Sequence, residues 1–417
     1  MRAELVVIGN EVLTGFTVNT NAAFIGQQLM KAGYLLTQQT VVPDHADLLS
    51  EVLSQALERS DLVITTGGLG ATIDDITRQV AAKLFGSDFT YDETVADDIA
   101  RRYKKYLSIM QDTLKDQATV PSKAKVLLNP VGSAPGFIFQ EDNKTLVMLP
   151  GVPNEMKPML TEQVIPFMLE AFPLSVRSYR KTLHLFELPE LSVDPLLREL
   201  DEKYPEVNFA IYPALGTLTL HLTTEAESEE KAMRILDEPY CEIETRFATN
   251  CFHSESGILE EAVHHMFIEN QWTLSVAESC TGGSVSSRLT QLPGASEYFL
   301  GSVVSYANDV KTKILGVPEQ LIQEKGAVSQ EVVEKMVEGV IRITGSDFAV
   351  AVSGIAGPSG GTPEKPVGTV WCAVCRKGET PHTWKISARG TREMIIFRSV
   401  NSLFSNLLLY AKETSLL

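Results

Sequence analysis

Ala277-Glu278-Ser279-Cys280-Thr281-Gly282-Gly283 follows the apolar run Trp272 to Ala277 and precedes a helical pattern, Ser284 to Leu292. A strand thus hands a hydroxyl, a thiol and two glycines to the start of a helix. Backbone N–H groups at a helix N-terminus lack intrahelical partners and carry partial positive charge, so they can hold a phosphate or a developing oxyanion. Ser279, Cys280 and Thr281 sit where such a group would bind. A serine or threonine here can equally do no more than cap the helix, so the surrounding chain has to decide.

On either side of this turn, strand and helix patterns alternate. Ile258 to Asn270 is helical, Thr273 to Ala277 a strand and Tyr298 to Tyr306 a β run. Asn308, Asp309 and Lys311 then precede a helix-like Thr312 to Leu315. Gln330 to Thr344 is amphipathic and Phe348 to Val352 reads as a buried strand. That strand empties into a Gly- and Pro-rich loop, Ser353 to Thr369, containing Gly354 and Gly357; its place at a strand end favours a fixed binding wall. The last helix, Arg392 to Tyr410, offers Arg392 and Arg398 to an anion. Asn250 to Gly257, short and polar, reads as a hinge. Before it, Arg180 to Arg246 reads as β-α-β-β-α, a small acidic unit without the G-x-x-G loop of RNA clamps, and is taken as a spacer or dimerisation element.

The N-terminal stretch repeats the alternation. Glu4 to Ile8, Tyr34 to Val42 and Leu62 to Thr65 read as strands, with Asn19 to Lys31 and Ala46 to Arg59 as helices. This predicts an α/β fold with a mostly parallel sheet covered on both faces, with ligands beyond the carboxyl ends of its strands. There lies Thr65-Thr66-Gly67-Gly68-Leu69-Gly70-Ala71-Thr72-Ile73-Asp74-Asp75, opening the helix Ile76 to Phe85. Glycines let backbone approach phosphate, Thr72 can donate to it, and Asp74 with Asp75 can hold a hard divalent cation. The same residues would also make a tight turn with a stabilised helix start. A charged helix, Asp92 to Leu107, is followed by Lys115, a candidate phosphate contact. A second ligand-facing loop, with Gly151 and Glu155, follows the strand Leu146 to Leu149.

A chain of 417 residues implies two or three domains, and 44% hydrophobic with 21% charged residues is a globular composition. The formal charge of -17 argues against nucleic acid or an anionic membrane as a partner. No apolar run approaches a bilayer span and the first residues lack a signal-peptide layout, so the cytoplasm is expected. Five cysteines without framework spacing read as reduced thiols. Cys372 and Cys375 lie three apart on a strand pattern and should face opposite sides. His264 and His265 are explained by a half-buried helix face.

A hydroxyl nucleophile needs a base, and no Ser-His-Asp order is apparent. Lys311, just after a strand, could lose its proton near neutral pH if desolvated, which makes a Ser279–Lys311 dyad; Cys280 is the alternative nucleophile.

With these residues in hand, the chain resembles the CinA family of competence/damage-inducible proteins over nearly its whole length. T-G-G-L-G-A-T-I-D-D and L-P-G-V-P-N-E-M resemble a MoaB/MogA-like domain. A-E-S-C-T-G-G, S-Y-A-N-D-V-K and G-I-A-G-P-S-G-G-T-P-E-K-P-V-G-T-V resemble the family's C-terminal amidase domain. The resemblance implies a three-layer MoaB/MogA-like domain over 1–170, a KH-like α+β domain over 171–250 and an amidase domain over 256–417. It implies that the last deamidates nicotinamide mononucleotide to nicotinate mononucleotide and ammonia. Ser279 would be the nucleophile and Lys311 the base, with Thr281, Gly282, Gly283, Tyr306, Asn308, Gly354, Gly357 and Arg392 around the substrate. The N-terminal domain would be a metal-dependent ADP-ribose pyrophosphatase, with a divalent ion at Asp74 and Asp75 and substrate at Gly67, Gly68, Gly70, Thr72, Lys115, Gly151 and Glu155. A homodimer is expected. A competence protein that binds nucleotides or partners without catalysis is the alternative. Asn10 stands where the family has Asp or Thr, Ala71 where it has proline, and Thr391 where it has Asp between Gly390 and Arg392.

Overall fold

The computed structural model describes residues 1–72, 74–106, 109–214 and 216–415. The expectations touching Ile73, Leu107 and Leu417 lie outside these residues. The chain divides into two compact units, Met1–Tyr179 with Glu225–Ala232, and Arg180–Thr224 with Met233–Leu417.

In the first unit the strands are β1 (Ala3–Ile8), β2 (Leu36–Val42), β3 (Leu62–Thr66), β4 (Phe89–Tyr91), β5 (Thr119–Pro121), β6 (Lys125–Leu127), β7 (Gly136–Glu141) and β8 (Lys144–Leu149). Six of them form one sheet in the order β2-β1-β3-β8-β7-β6, and β4 pairs with β5 separately. β2, β1, β3 and β8 run parallel, β7 runs antiparallel to β8, and β6 runs antiparallel to β7. Alternate β1 residues bury on opposite faces. Val6 and Ile8 join Leu49 and Leu53 of the helix Ala46–Arg59, and Leu5 and Val7 join Ile25 and Leu29 of the helix Thr20–Lys31. That double burial explains why β1 and β3 read as continuous apolar runs, and it makes three layers. β7, absent from the sequence reading, lies next to β8 as an antiparallel strand. The charged helix is shorter than expected, Glu93–Arg102, with Asp92 accepting from the Thr94 and Val95 amides as its cap.

A four-stranded sheet follows: β9 (Arg177–Phe186), β10 (Asn208–Pro213), β11 (Thr217–Ala226) and β12 (Cys251–Phe252), in the order β10-β11-β9-β12. Helices Glu190–Lys203 and Glu229–Arg246 complete the expected β-α-β-β-α unit. The stretch read as a polar hinge is corrected: Cys251 and Phe252 pair with Leu185 and His184 as an antiparallel edge strand. Both are buried, so the apolar pair outweighed the polar residues around it.

The remaining strands are β13 (Leu274–Glu278), β14 (Phe299–Val304), β15 (Phe348–Gly354), β16 (Thr369–Arg376) and β17 (His382–Ser387). Their order is β14-β13-β15-β16-β17; the first three run parallel, β16 runs antiparallel to β15, and β17 runs antiparallel to β16. The helix Gln330–Thr344 covers one face, with Val333, Val337 and Val340 buried and Gly345 ending it in the left-handed conformation. The helices Leu259–Glu269 and Arg392–Ser415 cover the other. Cys372 and Cys375 do belong to opposite faces, one in each core. Among the described residues the segment Arg392–Thr414 is long and apolar enough to cross a membrane. Here Leu403, Phe404, Leu407 and Leu408 are buried in the core.

Candidate active site

β13 lies between β14 and β15, and all three point the same way, so their carboxyl ends open together at Ser279, Ser305 and Gly354. Ser279 is buried immediately after β13. Lys311 lies inside the helix Asn308–Lys313, one turn earlier than the helix-like segment expected, and only 1% of its surface is exposed. Its Nζ donates to Ser279 Oγ at 2.9 Å and to the Ser305 carbonyl at 2.5 Å. Burial pulls the Lys311 amine down to about 8, so at pH 7 about a tenth of it is unprotonated. The alternative nucleophile fares differently. Burial pushes the Cys280 thiol up to about 12, and its side chain belongs to the hydrophobic core. A thiol in that state supplies almost no thiolate at neutral pH.

The expectation that the helix start would hold a phosphate or oxyanion is corrected. The Glu278 carboxylate, fully buried, already occupies that position. It accepts from Thr281 Oγ1 (2.7 Å), the amides of Gly283 (3.0 Å), Val285 (3.1 Å) and Ser286 (3.0 Å), and Ser286 Oγ (2.6 Å). An internal anion therefore neutralises this helix end, and the Gly283 amide is engaged before any substrate arrives. The amides of Gly282 and Ser284 are likewise turned inward, to the carbonyls of Ser279 and Thr281. Gly282 and Gly283 have positive φ, 62° and 103°, which a residue with a side chain adopts only with strain. Glu278 was missed in the sequence reading. Its signal was an acidic residue ending an apolar strand just before a helix start.

Around this dyad, Arg392 donates from Nη1 to the Gly357 carbonyl (2.7 Å) and from Nη2 to Tyr306 Oη (3.1 Å). Tyr306 is 62% exposed, and Asn308 is exposed at the start of the Lys311 helix. The loop from Gly354 to Gly368 is pinned by Lys365, whose Nζ donates to the carbonyls of Lys325 (2.6 Å) and Val328 (2.8 Å). A side chain at Gly354 would strike Val370, and one at Gly357 would crowd Val367. These contacts tie the loop to the residues around it at the strand end.

The N-terminal candidates are less convergent. Gly67 donates to the Leu149 carbonyl and packs against Gly151, and a Cβ on Gly67 would strike the Ile8 carbonyl. At Gly68 a Cβ would strike the Thr77 hydroxyl, and at Gly70 the Asp75 carboxylate. Close packing against backbone at Gly67 and against side chains at Gly68 and Gly70 thus leaves no room for a Cβ at these positions. Thr72 is tied to Asp75, its amide at 2.8 Å and its hydroxyl at 2.5 Å. Glu155 accepts from Asn129 Nδ2 at 2.7 Å, a structural bond that the sequence reading did not foresee. Lys115 is exposed, while its neighbours Asp116 and Gln117 bond Arg78 and the Leu69 carbonyl. Burial, together with the charges of Glu11, Asp74 and Asp75, pushes the Asp44 carboxyl up. Oxygen donors of this kind suit a hard cation. Yet among the described residues no three His, Cys, Asp or Glu side chains converge to chelate a metal, so the donor set alone does not make a metal site.

Three families match the chain in sequence: "Probable molybdopterin binding domain" over residues 4–170, "Damage-inducible protein CinA KH domain" over 180–252 and "CinA C-terminal domain" over 257–410. A "Putative competence-damage inducible protein" of Symbiobacterium thermophilum is 41% identical over 380 residues, 91% of this chain and 89% of its own. A "CinA-like protein" of a Thermotoga species is 38% identical over 413 residues, 99% of this chain and 98% of its own. Among solved structures, a CinA protein "with unknown function" from Thermoplasma acidophilum is 42% identical. It covers 39% of this chain and 97% of its own, with a TM-score of 0.37. With its three domains matched in order and relatives of this identity along almost the whole length, the chain belongs to the CinA family.

Proposed function

We propose that the C-terminal domain is a serine amidase whose substrate is the carboxamide of nicotinamide mononucleotide. The observation that carries the proposal is the buried 2.9 Å bond from Lys311 Nζ to Ser279 Oγ, with the amine held at about 8. In the unprotonated fraction, Lys311 accepts the Ser279 proton as Oγ bonds to the amide carbon. The carbonyl oxygen takes up the electron pair as an oxyanion. The Gly282, Gly283 and Ser284 amides are engaged inside the turn, so the oxyanion would need donors other than these three. Lys311 then returns the proton to the departing nitrogen, ammonia leaves, and an ester to Ser279 remains. Water, deprotonated by the same amine, releases the carboxylate and restores the hydroxyl. Arg392, which bonds the Gly357 carbonyl and Tyr306 Oη, would be the cation that meets the substrate's phosphate.

Ammonia release from nicotinamide mononucleotide tests this reading. The Ser279→Ala variant should lose at least about a thousandfold in kcat, as removal of a nucleophile does, while Cys280→Ala should retain most of it. Loss in the cysteine variant with retention in the serine variant would reverse the assignment. No turnover by the wild type, combined with tight binding, would favour the reading as a nucleotide-binding protein. For the N-terminal domain we propose hydrolysis of ADP-ribose to AMP and ribose 5-phosphate, resting on the family relationship. The divalent ion would sit at Asp74 and Asp75, whose two carboxylates leave the rest of its coordination to the substrate's phosphate oxygens and water.

A further inference from the structure

A second cavity, of about 540 Å³, opens in the Arg180–Leu417 part of the chain, and none of its walls belongs to the Ser279–Lys311 site. Phe252, Ala262, Met266 and Leu408 give it an apolar lining. Those residues come from β12 and from the helices Leu259–Glu269 and Arg392–Ser415, so the edge strand that replaced the expected hinge builds one wall. The volume falls within the range of small-molecule sites.

One cation stands in this wall without a counter-ion. Lys412 lines the cavity and is half-buried; its Nζ donates to the Cys251 carbonyl at 2.9 Å. Among the described residues it makes no ion pair with a carboxylate. Burial accordingly holds its amine below the usual lysine range. An ammonium withdrawn from water without an anion is costly, and an incoming anion would repay that desolvation. His184, also in the wall, is fixed by Thr219 at 3.0 Å and pushed by burial towards its neutral form, so it adds a polar edge without a second charge. Glu255 and Glu269 also line the cavity, with His253 and His265. Their carboxylates oppose any anion, and a dianion or polyphosphate about twice as strongly or more, which limits the ligand to a single negative charge placed at Lys412.

We propose that this cavity binds a small monoanion with an apolar body, a monocarboxylate, its hydrocarbon against Phe252, Met266 and Leu408 and its charge on Lys412. The site is separate from the amidase reading and stands or falls independently of it. The full-length chain is titrated with 8-anilinonaphthalene-1-sulfonate, a fluorescent apolar monoanion, and the bound probe is displaced with octanoate or with neutral octanamide. One saturable site is expected, displaced by octanoate and not by octanamide. Lys412→Met, which keeps the apolar stem and removes the charge, should weaken the probe about tenfold or more, and Lys412→Arg should stay within about threefold of wild type. Met266→Trp should fill the cavity and abolish saturable binding. Equal displacement by octanamide, unchanged affinity in Lys412→Met, or no saturable site up to millimolar probe would each overturn the proposal. If Lys412→Met melts early, the octanamide control and Met266→Trp still decide it.

Discussion

Lys311 unites reactivity and instability in one side chain. Its amine titrates near 8 in the folded protein against an ordinary 10.5. Only the unprotonated amine can act as a base, so kcat/KM for ammonia release should rise about tenfold per pH unit below 7 and level off above about 8.5. A flat profile between pH 6 and 9 would remove the base role. The linkage sign follows from the same shift. Between pH 8 and 10.5 the unfolded chain binds more protons than the folded one, so stability rises with pH in that window. Below pH 8 the full cost applies, on the order of 3 kcal/mol. Lys311→Met should therefore abolish turnover yet raise stability at pH 7 by about 1–3 kcal/mol, read from denaturant melts. Destabilisation by that variant would mean that its hydrogen bonds to Ser279 and the Ser305 carbonyl outweigh desolvation.

At the scale of elements, the turn between β13 and the helix Ser284–Thr290 is held by Glu278. One carboxylate gathers two hydroxyls and three amides there. A glutamine keeps the shape but has one acceptor oxygen, and its NH2 group would confront amide donors. Glu278→Gln should cost about 2–4 kcal/mol in stability. It should also lower kcat for the amidase reaction more than Cys280→Ala does, because the turn carries Ser279. Equal stability of Glu278→Gln and wild type would show that the turn does not need the charge. The strand and helix patterns around this turn were legible because β13 and β15 are buried on both faces and the helix Gln330–Thr344 on one. β12 was not legible, since two residues make no period and only pairing with β9 reveals them.

For the whole molecule, the two candidate sites lie in different compact units. They should fail separately. Chelation or Asp74→Ala should stop AMP formation from ADP-ribose without touching ammonia release, and Ser279→Ala should do the reverse. Undiminished AMP release in chelator would remove the divalent ion from the N-terminal reading. The C-terminal core also takes in Phe186 and Phe252, both of which precede residue 256.

The sequence by itself determined the α/β alternation, the strand-to-helix turn bearing Ser279 and the glycine-rich loop, because these depend on local periodicity and on residues that tolerate tight backbone. Three things were left to the tertiary structure. Lys311 meets Ser279 across thirty-two positions, the helix start goes to Glu278 instead of a ligand, and Cys280 is buried out of reach of chemistry. Each depends on burial and on distances between segments remote in the chain. A dielectric environment is a property of the packed fold, and no spacing of residues encodes it.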